Sequence, residues 1–518
     1  MAKEILRMEN ITKIYDNGFV ANKDVTFWLN EGEILALAGE NGAGKTTLMK
    51  VLFGLEKPQT GKVLLYGEDA NIKNTLDAIG KGIGMVHQHF MQVPSLTVAE
   101  NVLLGIEPMK NGLFDFDKAV EMTREVSEKY NFHVDPLAKI SDLSVGQKQK
   151  VEIMKVLIKG AKIIIMDEPT AVLTPQETDE LFEQLLRLRD DGHSFIFISH
   201  KLEEVKRICS RITILRRGNC LGSYDLSDMS EADISRLMVG RDVVLQFEKE
   251  DPTPGDAIIK VKDLVKINAD GKRVLDGLSF NIRAGEVIGI AGVEGNGQSE
   301  LSDVLSGMDG FASGTVELNG QSIEGKSVFE IRQMGMALIP EDRMIHGAAG
   351  EMSICDNIIS DRYFKPGYKK GMFINKKYIE NVADEYIKEF QIACDNKKQA
   401  VRYLSGGNIQ KVVAAREFTS EPKFLLACHP TRGIDVGAAE MIRKKIVELR
   451  DEKRTAVLLF SADLTELLSV SDSIFVMYEG KIVAYFPDAR AIDEQTLGEY
   501  MLGLKKQSDE EIGGVVFE

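Results

Sequence analysis

The chain carries one stretch whose residue types and spacing could bind phosphate, Gly39-Glu-Asn-Gly-Ala-Gly-Lys-Thr-Thr47. It has the spacing of a P-loop, whose glycines let backbone N–H groups wrap phosphates at a helix N-terminus. In that pattern the Lys45 ammonium lies beside the β- and γ-phosphates, and the Thr46 hydroxyl contacts Mg²⁺. The predicted nucleotide contacts are Gly39, Asn41, Gly42, Gly44, Lys45, Thr46 and Thr47. The stretch therefore predicts a site for a nucleoside triphosphate with Mg²⁺.

The sequence on both sides of this loop predicts the elements that a P-loop needs. The apolar run Glu33-Ile-Leu-Ala-Leu-Ala38 precedes it and is typical of a buried strand. Thr47-Leu-Met-Lys-Val-Leu-Phe53 follows it and predicts a helix that ends at Gly54. Strand, loop and helix thus come in the required order.

Bulk properties limit the class of protein. A chain of 518 residues is too long to form one hydrophobic core, and its length predicts two to four domains. The formal net charge of -16 disfavours a nucleic-acid partner. The first residues lack the apolar core of a signal peptide, and no run approaches the roughly twenty apolar residues of a spanning helix. The five cysteines show no metal-type spacing and predict reduced, buried thiols. A soluble chain is expected, unless a partner holds it at a membrane.

The chain contains a repeat. Phe27 and Phe280, Gly39 and Gly292, and Lys45 and Gln298 are each separated by 253 positions. This constant offset indicates a duplicated domain. We predict a first domain over residues 3–245, a linker over 246–257 that is rich in Pro and Gly, a second domain over 258–505 and a frayed acidic tail over 506–518.

Further motifs follow the P-loop at the ends of predicted strands and helices. Gln88 ends one strand, Leu143-Ser-Val-Gly-Gln147 opens a helix, and Asp167-Glu168 follows the apolar strand Ile163-Ile-Ile-Met166. His200 closes the strand Phe195-Ile-Phe-Ile198. Short apolar strands alternating with helices favour an α/β fold with a mostly parallel sheet covered on both faces.

These motifs, in this order, resemble the nucleotide-binding domain of ABC ATPases. The two copies together, over residues 3–505, resemble the tandem ATP-binding subunits of bacterial sugar and nucleoside importers. The resemblance implies two P-loop domains, each with a RecA-like parallel core, an antiparallel β subdomain and an α-helical insert. It also implies two integral membrane permease subunits, an extracytoplasmic substrate-binding lipoprotein reached through the complex, and a peripheral position at the cytoplasmic face of the membrane.

The resemblance assigns roles to residues of the first copy. Lys45 and His200 would contact the γ-phosphate, and Tyr15 would stack on adenine. Asp167 would hold Mg²⁺ with Thr46 and Gln88, because that ion takes oxygen ligands and keeps much of its water. Glu168 would act as the general base that polarises the attacking water.

The resemblance also implies two ATP sites, each joining the P-loop of one copy to the Leu-Ser-x-Gly signature of the other, either within one chain or in a homodimer. The first site adds Ser405, Gly406 and Gly407 to the first P-loop. The second adds Ser144 and Gly146 to Gly292, Gly297, Gln298 and Ser299. In the second copy Gln298 replaces Lys45, Asn268 replaces Tyr15, Glu341 replaces Gln88, Cys428-His429 replaces Asp167-Glu168, and Ala462 replaces His200. We therefore expect one hydrolysing site and one that at most binds ATP.

The resemblance to nucleoside importers includes a neutral pair before Pro-Thr-Arg-Gly433, here Cys428-His429, and so implies nucleoside import rather than sugar import, which stays the alternative. A soluble tandem ABC protein acting on ribosomes or DNA is a remote alternative. The net negative charge of the chain and the short linker between the two copies both disfavour it. A non-catalytic scaffold is disfavoured by the complete first site. The stretch Phe90 to Val102, with Phe90, Met91 and Leu96, and the equivalent stretch after Glu341 would either contact the two permease subunits or belong to the core.

Overall fold

The computed structural model describes residues 3–15, 18–40, 42–87, 90–170, 173–199, 201–239, 249–293, 295–508 and 510–512. It divides into two compact units, Met1–Val243 and Val244–Glu518, which we call the first copy and the second copy. Each copy repeats the same two sheets in the same order of elements. The duplication predicted from the constant offset is thereby confirmed.

The elements of the first copy alternate between strands and helices. The strands are β1 (Glu4–Ile14), β2 (Val20–Asn30), β3 (Ile34–Ala38), β4 (Thr60–Leu65), β5 (Glu68–Asp69), β6 (Ile83–Val86), β7 (Met109–Lys110), β8 (Leu113–Phe114), β9 (Ile163–Asp167), β10 (Ser194–Ile198), β11 (Arg211–Arg216) and β12 (Asn219–Asp225). The helices are α1 (Lys45–Leu52), α2 (Thr75–Gly80), α3 (Val98–Val102), α4 (Phe116–Lys129), α5 (Val145–Ile158), α6 (Pro175–Asp190), α7 (Leu202–Ile208) and α8 (Glu231–Val239).

A six-stranded sheet forms the centre of the first copy, in the order β12-β11-β3-β10-β9-β6. Its strands pair in parallel, except for the antiparallel β11–β12 pair at one edge. Every residue of β3 is buried. Leu35 packs into the core cluster that contains α1, while Ile34 packs into the cluster that contains α5 and α6. The apolar runs predicted as strands are thus buried on both faces, as a parallel sheet requires.

Two smaller parts flank this sheet in the first copy. An antiparallel sheet has the order β2-β1-β4-β5. Helices α3 to α5 lie between β6 and β9 in the chain and pack on one another. The antiparallel β subdomain and the α-helical insert expected from the resemblance are both present.

The second copy repeats this arrangement. Its strands are β13 (Ala257–Ile267), β14 (Arg273–Arg283), β15 (Val287–Ala291), β16 (Ser313–Leu318), β17 (Gln321–Ser322), β18 (Met336–Ile339), β19 (Lys369–Lys370), β20 (Phe373–Ile374), β21 (Phe424–Cys428), β22 (Ala456–Phe460), β23 (Ser473–Tyr478) and β24 (Lys481–Phe486). Its helices are α9 (Gln298–Ser306), α10 (Val328–Gln333), α11 (Ile354–Ile359), α12 (Lys376–Glu389), α13 (Gly406–Phe418), α14 (Val436–Lys453), α15 (Leu464–Val470) and α16 (Glu494–Met501). The central sheet has the order β18-β21-β22-β15-β23-β24.

The prediction that the segment 506–518 is frayed is wrong for its first residues. The Gln507 side chain accepts a hydrogen bond from the Tyr485 amide at 2.7 Å and donates one to the Tyr485 carbonyl at 3.2 Å. Ile512 packs against the core of the second copy. Gln507 therefore extends the pairing at the edge strand β24, which the polar composition of the segment did not indicate.

Among the described residues, none of the helices is long and apolar enough to cross a membrane.

Candidate nucleotide-binding site

The loop between β3 and α1 in the first copy has the backbone of a phosphate-binding turn. Gly44 lies in the left-handed region at φ 102° and is the residue before α1, so the first turn of α1 has no side-chain cap. A Cβ at Gly44 would lie 2.3 Å from the Ala21 carbonyl oxygen, and one at Gly39 would lie 2.3 Å from that of Leu215. Both glycines are therefore required, and the N–H groups at the start of α1 suit an anion.

Lys45 lies inside this loop, where its ammonium donates to the carbonyl oxygens of Gly39 at 2.6 Å and Glu40 at 3.1 Å. Burial lowers the pKa of Lys45, while the nearby carboxylates of Glu168 and Asp167 oppose that change. A buried ammonium held by carbonyl oxygens of the loop is in position to contact phosphate oxygens. Thr46 is exposed and Thr47 half-buried at the start of the same helix.

Asp167 and Glu168 follow the central strand β9, as predicted. Asp167 is the last residue of β9 and is 8% exposed. Burial raises the pKa of Asp167 to about 6, and the neighbouring Glu168 carboxylate raises it further against Lys45 and Lys50. Mg²⁺ takes oxygen ligands, and a bound cation would stabilise the charge of the buried Asp167 carboxylate. Asp167 is therefore suited to bind that ion.

Glu168 has a strained backbone, with φ at 48°, the left-handed region that non-glycine residues rarely adopt. Its amide donates to the Ile198 carbonyl oxygen at 2.9 Å, which ties the end of β9 to the end of β10. Such strain costs on the order of 1–3 kcal/mol and concentrates at functional sites. The turn therefore fixes the direction of the Glu168 side chain relative to the strand end that carries Asp167.

The raised pKa of Asp167 gives a stability prediction with a defined sign. The folded protein keeps this carboxyl protonated up to about pH 6, whereas the unfolded chain ionises near 3.8. The nucleotide-free protein therefore loses about 3 kcal/mol of unfolding free energy as the pH rises through this window. Asp167→Asn removes that loss, so urea unfolding should find the variant more stable near neutral pH and equal to wild type near pH 4. A stability difference that does not change with pH would contradict this.

Tyr15 lies at the edge of the P-loop, where its hydroxyl is 3.2 Å from the Thr47 Oγ1 atom. The Lys13 ammonium lies 5.3 Å from the centre of the Tyr15 ring. The ring is half-buried. It stays a predicted adenine contact, and its position beside α1 agrees with that role.

Three predicted site residues, Asn41, Gln88 and His200, lie outside the described residues. The chain beside His200 is fixed by Glu204, whose Oε2 atom accepts from the hydroxyl of Thr170 at 2.6 Å and of Ser199 at 3.3 Å. This pair of bonds joins the turn after Glu168 to the end of β10. The strand ends that carry the predicted groups are thus held together by a common carboxylate.

The second copy keeps the P-loop backbone but changes its charge. Gly297 precedes α9 at φ 105°, as Gly44 precedes α1. The Gln298 side chain folds over Gly292, where a Cβ would lie 2.4 Å from its Nε2 atom. Glu300 stands where the first copy has Thr47, in the first turn of α9. The exchange of an ammonium for an amide and the added carboxylate both disfavour a phosphate. Glu300 was missed by the sequence reasoning, although the offset of 253 identifies it.

Cys428 and His429 repeat the geometry of Asp167 and Glu168 without their chemistry. His429 has φ 47°, and its amide donates to the Phe460 carbonyl oxygen at 2.8 Å. Its Nδ1 atom accepts from the Ala462 amide at 3.1 Å. The Cys428 Sγ atom lies 3.2 Å from the Ser302 hydroxyl, and burial raises the pKa of this thiol to about 12. A neutral thiol and an imidazole that is bonded through Nδ1 supply no carboxylate for Mg²⁺ or water.

The other replaced positions have structural partners in the second copy. The Glu341 carboxylate accepts from the Arg432 guanidinium at 2.5 Å. The Asn268 side chain accepts from the amides of Asp270 at 3.1 Å and Lys272 at 2.9 Å, within a local turn. Neither side chain is directed by these bonds toward a nucleotide.

The two signature helices differ at their N-termini. Ser144 and Ser405 are the N-caps of α5 and α13. In the first copy the Gly146 amide already donates to the Glu177 carboxylate at 3.2 Å. The second copy has Ala438 at the position of Glu177, and the Arg343 guanidinium lies 2.6 Å from where a Cβ of Gly406 would be. An anion at the second signature would therefore lie near the Arg343 cation. An anion at the first signature would instead lie near the Glu177 carboxylate.

Comparisons with known proteins agree with this geometry. The family model described as "ABC transporter" matches residues 22–171 and 275–432. The chain is 42% identical to the nucleoside import ATP-binding protein NupA of Lactococcus lactis, over 97% of this chain and 99% of that protein. It is 41% identical to the guanosine import ATP-binding protein NupO of Bacillus subtilis, over 96% and 97%. It is 39% identical to the glucose import ATP-binding protein TsgD13 of Haloferax volcanii, over 96% of each.

Proposed function

The chain belongs to the ABC transporter family, and from this premise we propose that it hydrolyses ATP at one of two unequal sites to energise nucleoside import. The observation that carries the proposal is the unequal distribution of charge. The first copy carries one cation and two carboxylates, Lys45, Asp167 and Glu168. The second copy has uncharged replacements at the same backbone positions, Gln298, Cys428 and His429.

In the proposed mechanism the first P-loop binds the triphosphate through its N–H groups and the Lys45 ammonium. Asp167 and Thr46 would hold Mg²⁺ with Gln88, and that ion would neutralise charge on the phosphates. Glu168 polarises the attacking water and accepts its proton, while His200 contacts the γ-phosphate. The fixed backbone at Glu168 keeps this base oriented before substrate arrives, which avoids reorganisation during the reaction.

We propose that the first P-loop works with Ser405, Gly406 and Gly407, and the second with Ser144 and Gly146. This pairing forms either within one chain or between two chains. The Arg343 cation beside Gly406 supports the first combination, since it would attract a γ-phosphate. The Glu177 carboxylate bonded to the Gly146 amide supports a second site that does not hydrolyse ATP, because it repels a phosphate there.

The proposed partners are two integral membrane permease subunits at the cytoplasmic face and, through them, an extracytoplasmic binding lipoprotein. The predicted contact stretch is exposed only in part. Met91 is 62% exposed, Phe90 and Leu96 are half-buried, and Val98, Ala99 and Val102 are core residues of α3. The first half of the stretch is thus the part available to a partner.

Nucleosides are the proposed cargo because NupA and NupO are named for nucleoside and guanosine import, and because the second copy carries a neutral Cys-His pair. The test is uptake by cells of the source organism in which the gene is deleted. We expect deletion to lower uptake of radiolabelled guanosine at least about tenfold and to leave radiolabelled ribose and glucose unchanged. Wild type should restore uptake and Glu168→Gln should not. Loss of sugar uptake alone would instead establish the sugar alternative.

A further inference from the structure

The two-stranded hairpin β19–β20 of the second copy exposes an apolar tip. Met372 in its turn is 97% exposed, and Phe373 and Ile374 on β20 are 80% and 54% exposed. Three consecutive apolar side chains at such exposure are unusual on a water-facing surface and mark a place of interaction. The tip is therefore suited to an apolar partner.

Basic side chains surround this tip. Residues 362–379 contain six Lys and Arg and no Asp or Glu, in a chain whose formal net charge is -16. Five of the six are exposed lysines: Lys365, Lys369, Lys370, Lys376 and Lys377. Between residues that the structure describes, the ion pairs of this segment are made by Arg362 and by none of the five lysines. The segment therefore carries a local positive charge on an acidic protein.

Two of these lysines occupy a place that is unfavourable for a cation. Lys376 and Lys377 are the first residues of α12, whose first turn contains no acidic residue. A helix N-terminus carries partial positive charge and is stabilised by anionic groups, so a cation there costs stability. The first copy has Phe116 and Asp117 at the same positions of α4. The two lysines therefore do not stabilise their helix, and an external anion would offset their unfavourable position.

The base of the hairpin is fixed to the second copy. The Asn375 side chain donates to the Gly367 carbonyl oxygen at 3.1 Å, and the Asn375 amide donates to the Tyr368 carbonyl oxygen at 2.8 Å. Tyr368 is buried, and its ring packs edge-on against Tyr378 with centroids 5.1 Å apart. The tip is thus presented on an ordered base, which lowers the entropy cost of binding.

The equivalent hairpin of the first copy has the apolar side chains without the positive charge. An offset of 260 aligns β7 with β19 and β8 with β20. Met109 and Leu113 are 63% and 74% exposed there. The corresponding residues 106–119 contain two Lys but three acidic residues. The chain therefore carries its own control, an exposed hairpin with a small negative charge.

We propose that the β19–β20 hairpin of the second copy contacts the surface of a membrane that contains anionic lipids. Met372, Phe373 and Ile374 enter the boundary between headgroups and acyl chains, and the surrounding lysines lie against the lipid phosphates. Tyr378, half-exposed at the base, takes the headgroup level that tyrosine favours. A nucleic acid would use the lysines but leave the aliphatic side chains in water, whereas a lipid surface uses both. This inference goes beyond the proposed function, because it needs no permease.

The first test uses the full-length chain and protein-free vesicles. Vesicles of phosphatidylcholine, with and without phosphatidylglycerol, are sedimented with the purified protein at low and high salt. We expect binding at least about tenfold tighter when phosphatidylglycerol is present, and a loss of that difference at high salt. K369Q/K370Q should bind the anionic vesicles at least about tenfold more weakly than wild type, because each lysine near such a surface contributes severalfold. K110Q/K118Q, which removes two lysines from the first hairpin, should bind within about twofold of wild type.

The second test measures insertion of the tip by tryptophan fluorescence. The wild-type chain has one tryptophan, Trp28 on β2 of the first copy. On anionic vesicles whose acyl chains are brominated, F373W should be quenched, whereas wild type and the matched variant L113W should not. Positions 373 and 113 are both exposed, so the variants should keep the melting temperature of wild type.

Three results would overturn the inference: equal binding to vesicles with and without phosphatidylglycerol, an equal loss in K110Q/K118Q and K369Q/K370Q, or no quenching of F373W. Should K369Q/K370Q fail to fold, the quenching of F373W against L113W decides the question. The importer function is tested separately by uptake, since these vesicles contain no permease. Failure of the vesicle tests would therefore leave that function intact.

Discussion

Glu168→Gln is expected to lower ATP turnover by at least about 100-fold while ATP binding persists, because a general base contributes roughly 10²–10⁴ in rate. Gln keeps the size of the side chain and accepts the same left-handed backbone, so the turn after β9 should stay folded. Phosphate release by the purified chain measures turnover, and equilibrium binding of a fluorescent ATP analogue measures affinity.

The matched control is His429→Gln, which places the same amide at the same backbone position of the second copy. We expect turnover within about twofold of wild type, because that position holds no carboxylate and its imidazole is bonded to the Ala462 amide. Normal turnover in Glu168→Gln would remove Glu168 from the role of base. An equal loss in both variants would show that the two copies hydrolyse ATP alike.

Lys45→Ala and Gln298→Ala form the second matched pair, and we expect them to differ by at least about 100-fold in turnover. Removing one preorganised charge from a transition state typically costs on the order of 10²–10³ in rate. Lys45 supplies that charge in the first P-loop, where it also holds the carbonyl oxygens of Gly39 and Glu40. Lys45→Ala should therefore weaken ATP binding as well as turnover.

Gln298 is neutral, and Glu300 adds a negative charge in the first turn of α9. Gln298→Ala removes no charge that a phosphate could use, so turnover should stay close to wild type. Melting temperatures of both variants check that the loops remain folded. A Gln298→Ala variant as inactive as Lys45→Ala would mean that the second P-loop takes part in hydrolysis.

The sequence alone was sufficient for the features that depend on residues close together in the chain. The P-loop, the apolar strand before Asp167-Glu168 and the helix that opens at Leu143-Ser-Val-Gly-Gln147 each combine a motif with its own flanking element. Their positions at strand ends and helix starts were therefore correct. The constant offset also paired Lys45 with Gln298, and so predicted that the two copies differ in charge.

Tertiary structure alone decided the contacts between residues that are far apart in the chain. The Glu177 carboxylate meets the Gly146 amide only because α6 packs beside the start of α5. Arg332 and Glu417 form a pair 85 positions apart in the second copy, and the equivalent apolar residues of the first copy line a cleft. Gln507 joins β24, although its polar segment was predicted to fray. Short-range patterns fix which element forms, whereas the packing of distant elements fixes which side chains meet and which surfaces stay open.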